Sequence, residues 1–167
     1  MSDGERRGAP VVVIGYGNTL REDDGLGPQV AALLEGRWPT SRVAVFSVPT
    51  LTPELSAELR WAERVVFVDA ATDLPALQIG ERAVFPLPKG VDLVHFLDPA
   101  ALLTWTQRLF DACPDAVLIA VGAQSVGLSE ELTPEMRSLL PEIVARVTAW
   151  VERDPNVELP RPRAGLA

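Results

Sequence analysis

Cysteine and histidine are almost absent from this chain: among its 167 residues each occurs once, as Cys113 and His95. A single cysteine excludes an internal disulfide and a cysteine-rich zinc site. We interpret Cys113 as a small buried residue rather than a nucleophile, because no basic partner lies near it in the sequence. The H-E-x-x-H motif of zinc peptidases and the G-x-S-x-G motif of serine hydrolases are missing too. These absences leave open an enzyme that works with carboxylates or a metal.

Basic residues are also few. The chain has 15 Lys and Arg against 23 Asp and Glu, which gives a net charge of −8. Nucleic acid and anionic membranes both require a basic surface, so we expect neither as a partner. No apolar run approaches the length of a membrane span, and the first residues lack the apolar core of a signal peptide. We therefore expect a cytoplasmic protein.

The residues that are abundant are apolar, at 47% of the chain, and they fall into strand and helix patterns. Apolar runs, most of them rich in β-branched residues, predict five strands, at 11–14, 43–48, 64–71, 81–86 and 116–121, of which the fourth is modest. Apolar residues at helical spacing predict helices that begin near 26, 53, 99 and 134. The link between the third and fourth strands is too short for a crossover helix, so the fourth strand should run antiparallel at an edge. The order of the elements predicts an α/β fold in one domain, 10–153, with flexible tails at 1–9 and 154–167.

Several details of the helices follow from local signals. Thr52, Asp98 and Thr133 each precede a proline and are predicted N-caps. Pro141 lies within the last helix and predicts a break or kink there. The predicted inner faces include three residues near the helix ends: Leu33, Leu109 and Phe110.

An acidic cluster follows the first strand. The chain turns at Gly15 and Gly17 and then carries three carboxylates at 22–24 before the first helix. The glycines suggest a dinucleotide site, but Leu20 replaces the third glycine of that fingerprint, and the carboxylates would repel a pyrophosphate. A cation suits this cluster better than an anion. From this stretch alone, Asp23 or Asp24 is equally compatible with a helix cap and with a metal ligand.

Two further residues extend the candidate site. Asp69 ends the third predicted strand, so in a parallel sheet it shares an edge with the cluster at 22–24. A strand-end aspartate can be purely structural, but a second acidic group nearby favours a functional role. His95 precedes the helix that begins at Pro99. A lone histidine is often structural, yet here it has two acidic sites as potential co-ligands.

Five segments in register carry a resemblance to a known family, and they extend from about Val11 to Val151. They are VVIGYGNTLREDDGLG at 12–27, LTPEL at 51–55, VFVDA at 66–70, His95 with PAALL at 99–103, and GLS at 127–129 with Thr133 and Pro134. Together they resemble the hydrogenase maturation endopeptidases, which trim the C-terminal extension from the large subunit of nickel–iron hydrogenases after nickel is installed.

The resemblance implies a three-layer α/β/α sandwich with a mostly parallel, mixed five-stranded sheet. It implies a cytoplasmic, monomeric peptidase of the aspartyl type whose partner is the precursor of a hydrogenase large subunit. The family's metal-binding and catalytic positions fall on Asp24, Asp69 and His95, where some members carry Glu in place of Asp24. The implied cofactor is nickel supplied by the precursor, and zinc or cadmium is another divalent ion for the same ligands.

Two alternatives remain open at this stage. The same sheet edge would serve a non-catalytic, nickel-dependent binding or chaperone module for the same precursor. A nucleoside- or phosphate-binding enzyme on a similar fold is disfavoured by the acidic cluster and by the shortage of basic residues near it.

Overall fold

The computed structural model describes residues 8–89 and 97–154, and its centre is a five-stranded sheet. The strands are β1 Val11–Tyr16, β2 Val43–Val48, β3 Arg64–Ala71, β4 Ile79–Val84 and β5 Asp115–Gly122. Their order across the sheet is β2-β1-β3-β5-β4. All neighbours are parallel except β4, which runs antiparallel to β5 at one edge. The prediction for the fourth strand is therefore confirmed.

In the described part of the chain, four helices cover the two faces of the sheet. They are α1 Leu26–Leu34, α2 Ser56–Leu59, α3 Pro99–Phe110 and α4 Pro134–Glu152. Helices α1 and α4 pack with one set of alternating strand residues, represented by Val13, Val68 and Ile119. Helices α2 and α3 pack with the opposite set, represented by Phe67 and Leu118. Burial of both faces explains why the central strands are apolar throughout, and the predicted α/β/α sandwich is confirmed.

The helix ends agree with the sequence in part. Asp98 accepts a hydrogen bond from the Ala101 amide at 2.7 Å, and Thr133 accepts one from the Met136 amide at 3.3 Å, as predicted for N-caps. Thr52 occupies the predicted N-cap position of the 3-10 turn Pro53–Leu55 that precedes α2, but its side chain makes no capping hydrogen bond there. Pro141 does not interrupt α4. Its ring lies on the exposed side of the helix, while Ile143 and other buried residues hold the opposite face to the sheet.

The sequence predicted too many buried positions on the inner faces of α1 and α3. Leu26, Val30 and Leu34 of α1 are fully buried, but Leu33 is 48% exposed. In α3, Leu109 and Phe110 are 56% and 37% exposed. Helical spacing places these positions at the border of the apolar face, where burial depends on how far the neighbouring elements extend.

A close backbone approach fixes the start of α1. A Cβ atom on Gly15 would lie 2.0 Å from the carbonyl oxygen of Gly27, and one on Gly27 would lie 2.5 Å from that of Val68. Only glycine permits this contact, which presses the first turn of α1 against β1 and β3. The acidic segment before α1 is thereby held at the carboxyl edge of the sheet, beside the end of β3.

Some predictions lie outside the described residues. These are His95 and most of the two predicted tails, 1–7 and 155–167. Within residues 8–89 and 97–154, no helix is both long enough and apolar enough to cross a membrane.

Candidate active site

Asp69 is a largely buried acid at the carboxyl end of β3. Strand alternation places its side chain on the same face as Phe67, the face covered by α2 and α3. Burial, with smaller contributions from the negative charges of Asp24 and Asp73, raises the pKa of this carboxyl from 3.8 to about 7. Asp69 therefore changes its protonation state near neutral pH, a property typical of general acid–base groups.

Tyr16 is a hydrogen-bonding neighbour of Asp69. It ends β1, the strand beside β3, and its hydroxyl interacts with the Asp69 carboxyl by hydrogen bonding. This interaction lowers the pKa of Asp69 and opposes the effect of burial. Burial and the charge of Asp69 raise the pKa of Tyr16 far above its ordinary value. The phenol consequently stays protonated and serves as a donor to the ionised form of Asp69.

Asp24 lies near Asp69, in the segment between β1 and α1. It lies in the 3-10 turn Glu22–Gly25, and its Oδ2 accepts a hydrogen bond from the Asn18 amide at 3.0 Å. Its charge raises the pKa of Asp69, so the structure brings these two predicted site residues together. His95, the third, lies outside the described residues. Within the described part of the chain, no group of three or more His, Cys, Asp or Glu side chains is arranged to hold a metal.

An open cleft of about 510 Å³ begins at Asp69 and continues across β5 towards β4. Its lining is mainly acidic and apolar, and includes Asp73, Asp98 and Ala120. Arg82 adds a positive charge. It pairs across the sheet with Leu118, and so lies on the same face as Asp69. The cleft is large enough for several residues of an extended peptide, and Asp98 stands only three positions after His95 in the sequence.

Asp23 has a different role from either of those predicted. Neither Asp23 nor Asp24 caps α1, whose N-cap is Gly25 and has no side-chain capping bond. Asp23 is fully buried, and its two oxygens accept hydrogen bonds from the amides of Gln124, Ser125 and Thr133 at 2.9 to 3.2 Å. The Thr133 hydroxyl adds another at 2.9 Å. Asp23 thus ties the segment that carries Asp24 to the loop after β5.

Glu22 strengthens the same connection. Its carboxylate accepts hydrogen bonds from the Ser125 hydroxyl and from the Gly127 amide. Its backbone adopts φ of 46°, a left-handed conformation that is unfavourable for a residue with a side chain. Residues held in such conformations persist only where the surroundings fix them, and they cluster at functional sites.

Cys113 is exposed, so the prediction of a buried cysteine is wrong. It lies in the short turn between α3 and β5, away from the carboxyl edge of the sheet. Partial burial of the sulfur and the nearby Asp115 raise the pKa of its thiol. A thiol with a raised pKa is a poor nucleophile at neutral pH, which agrees with the prediction that Cys113 does no chemistry.

The fold and the site define an α/β protein with paired carboxylates and an open cleft at the carboxyl edge of its sheet. No protein-family model matches this sequence, and no curated protein matches it either. Solved structures do. The chain resembles the hydrogenase maturating endopeptidase HybD from E. coli with a TM-score of 0.69 and 20% sequence identity, over 84% of this chain and 91% of that protein.

Two archaeal structures give the same result. The NiFe hydrogenase maturation protease HycI from Thermococcus kodakarensis has a TM-score of 0.67 and 21% identity, over 89% of this chain and 96% of its own. The hydrogenase 2 maturation peptidase from Thaumarchaeota archaeon SCGC_AB-539-E09 has a TM-score of 0.63 and 22% identity, over 84% and 97%. The chain therefore shares the fold of hydrogenase maturation peptidases over almost the whole length of these proteins, in agreement with the resemblance seen in the sequence.

Proposed function

We propose that this protein is an endopeptidase that removes the C-terminal extension from the large-subunit precursor of a nickel–iron hydrogenase after nickel insertion. The observation that carries the proposal is the pairing of Asp24 and Asp69 beside an open cleft. The fold, shared with hydrogenase maturation peptidases, supports it. The partner is then a folded precursor in the cytoplasm, and the enzyme acts as a monomer.

The donor set suits a divalent cation. Asp24 and Asp69 are close enough for one charge to raise the pKa of the other, and a cation between them would remove that repulsion. Asp24 uses Oδ2 for the Asn18 amide, so its other oxygen would be the one to bind a metal. With the imidazole of His95 these carboxylates make a mixed oxygen and nitrogen set, which suits nickel or zinc and would also accept cadmium. We propose that the nickel is that of the precursor.

The residues of the chain have distinct roles in this mechanism. Asp69, which lines the cleft, accepts the proton of the attacking water and returns it to the leaving amine. Tyr16 donates to Asp69 and fixes its orientation. The cleft holds the peptide in an extended form. A bound metal supplies polarisation of the scissile carbonyl or a lower pKa for the attacking water.

Cleavage of the nickel-loaded precursor tests the proposal. The purified protein is incubated with that precursor, and the mass of the large subunit is followed over time. We expect loss of the C-terminal extension with the wild-type protein and no loss with Asp69→Asn. Asp115→Asn is the matched control, since Asp115 is an exposed acid at the opposite end of β5. Stable binding of the precursor without a change in mass would instead indicate a nickel-dependent binding module.

A further inference from the structure

Three large apolar side chains are exposed at the same edge of the sheet as the candidate site. Leu20 is 53% exposed, Val126 is 36% exposed and Leu128 is 93% exposed. They lie on two neighbouring loops, 18–22 after β1 and 125–129 after β5. We call the surface formed by Leu20, Val126 and Leu128 the apolar ledge. Exposed apolar side chains that occur together, rather than singly, are typical of interaction surfaces.

Backbone hydrogen bonds join the two loops of the apolar ledge. The Ser129 amide donates to the Leu20 carbonyl at 3.2 Å, and the Glu22 amide donates to the Ser129 carbonyl at 2.8 Å. The Arg21 guanidinium donates to the Val126 carbonyl at 3.2 Å. The buried carboxylate of Asp23, which follows the first loop directly, accepts hydrogen bonds from the amides of Gln124 and Ser125 at the start of the second loop and of Thr133 beyond it. A preformed apolar surface loses little conformational entropy on binding, which suits recognition of another folded surface.

The apolar ledge is continuous with the candidate site. The Asn18 side chain accepts a hydrogen bond from the Leu20 amide at 2.9 Å, while the Asn18 amide donates to Asp24 at 3.0 Å. A protein that covers Leu20 would therefore lie directly beside Asp24. The cleft that begins at Asp69 receives the peptide, so the ledge is free to contact the body of the protein to which that peptide belongs.

The charges around the apolar ledge define the complementary surface. Glu130 and Glu131 are exposed and follow Leu128 after Ser129, while Arg21 is exposed beside Leu20. Glu131 pairs with Arg137 at 3.3 Å, which leaves Glu130, among the described residues, as the unpaired acid nearest in sequence, and the whole chain carries a net charge of −8. A second copy of this chain would bring the same acidic residues together, which opposes self-association. A partner with an apolar patch and basic residues at its rim fits the ledge.

We propose that the apolar ledge is the docking surface for the folded body of the precursor, next to the extension that is cut. This inference rests on the proposed function and adds to it the surface that selects the partner. Docking through the ledge contributes to binding of the precursor and leaves the chemistry of the carboxylates unchanged. Loss of the ledge should therefore raise KM for the intact precursor without lowering kcat.

The test compares Leu128→Asp and Leu20→Asp with Leu109→Asp. Leu109 is a matched control because it is 56% exposed and lies near the C-terminal end of α3, away from the ledge. Thermal unfolding of each variant checks that the fold is retained. For both ledge variants we expect KM for nickel-loaded precursor to rise about tenfold or more, as for a central interface residue, with kcat within about twofold of wild type. Leu109→Asp should match the wild type.

A binding measurement separates failure of this inference from failure of the proposed function. Calorimetry measures the affinity of the wild type and of Leu128→Asp for the nickel-loaded precursor. A separate assay of the mass of the large subunit measures cleavage. Binding that weakens in Leu128→Asp supports the ledge even if no cleavage occurs. Equal KM and equal affinity in the ledge variants would overturn the proposal. So would a wild-type dimer in sedimentation that Leu128→Asp dissociates, because the ledge would then bind a second copy.

Discussion

Tyr16 and Asp69 lie side by side at the carboxyl ends of neighbouring parallel strands, one step beyond the last registered pair of those strands, Gly15 and Val68. The hydroxyl of Tyr16 lowers the pKa of Asp69, while the charge of Asp69 raises the pKa of Tyr16. The hydrogen bond from Tyr16 opposes the effect of burial, and the pKa of Asp69 is about 7. Tyr16 itself stays protonated and acts as the donor.

The pKa of Asp69 predicts how stability depends on pH. An acid whose pKa rises from 3.8 unfolded to about 7 folded binds more protons in the folded state between those values. The protein should therefore lose stability as pH rises through that window, with the full cost present above pH 7. Asp69→Asn removes this cost, so it should be more stable than the wild type at pH 8, by on the order of 4 kcal/mol, since each pKa unit corresponds to about 1.4 kcal/mol.

Urea denaturation between pH 5 and pH 8 in the presence of a chelator measures this effect. The difference in unfolding free energy between Asp69→Asn and the wild type cancels the other titrating groups. It should grow as pH increases. A difference that is constant across the range would show that the pKa of Asp69 is not raised in the folded protein.

Tyr16→Phe should move the titration of Asp69 to higher pH. The substitution removes the hydroxyl whose hydrogen bonding lowers the pKa of Asp69 and leaves the burial of the carboxyl in place. Carbon-13 NMR of the labelled aspartate carboxyl follows the titration directly. We expect the midpoint for Asp69 to rise above about 7 in Tyr16→Phe. An unchanged midpoint would mean that the two side chains do not interact in solution.

Asp23→Ala should strongly lower the free energy of unfolding. Asp23 is fully buried and accepts hydrogen bonds from three backbone amides and the Thr133 hydroxyl. Alanine would leave several of these donors unpaired, at a cost of about 3 kcal/mol or more. Asp115→Ala is the control, since an exposed acid should cost less than about 0.5 kcal/mol.

Chemical denaturation of both variants at pH 7.5 gives the two values. Loss of stability in Asp23→Ala alone would show that this carboxylate holds the loops around the site in place. Similar stability for Asp23→Ala and Asp115→Ala would show that the donors find other partners.

Apolar runs and the lengths of the links between them predicted the strands and the direction of the edge strand. The apolar run at 64–71 predicted β3 and placed Asp69 at its end, and the short link to β4 predicted an antiparallel edge. Pro141 predicted a break that α4 does not have, because the effect of this proline depends on packing elsewhere along the helix. Leu109 misled because helical spacing does not say where a neighbouring layer ends.

The candidate site was predictable only where strand ends define it. Parallel strands bring Asp24 and Asp69 to one edge, and the sequence shows both. The sequence does not show that Asp23 is structural whereas Asp24 and Asp69 belong to the candidate site. That distinction depends on hydrogen bonds of Asp23 with Gln124 and Thr133, about 100 residues away, which no local pattern encodes. Tyr16 had a faint signal, since it follows Ile14 at strand spacing and ends β1 on the face of Asp69.

The most direct test of the central claim compares three forms of the precursor under one set of conditions: without metal, without metal but with excess nickel or zinc in solution, and with nickel already inserted. Carboxylates and an imidazole without a thiolate should hold free metal weakly, so the precursor's own nickel ligands must complete the site. The mass of the large subunit is followed in each case. The account predicts cleavage only of the nickel-inserted precursor. Prompt cleavage of metal-free precursor by metal-free enzyme would contradict it.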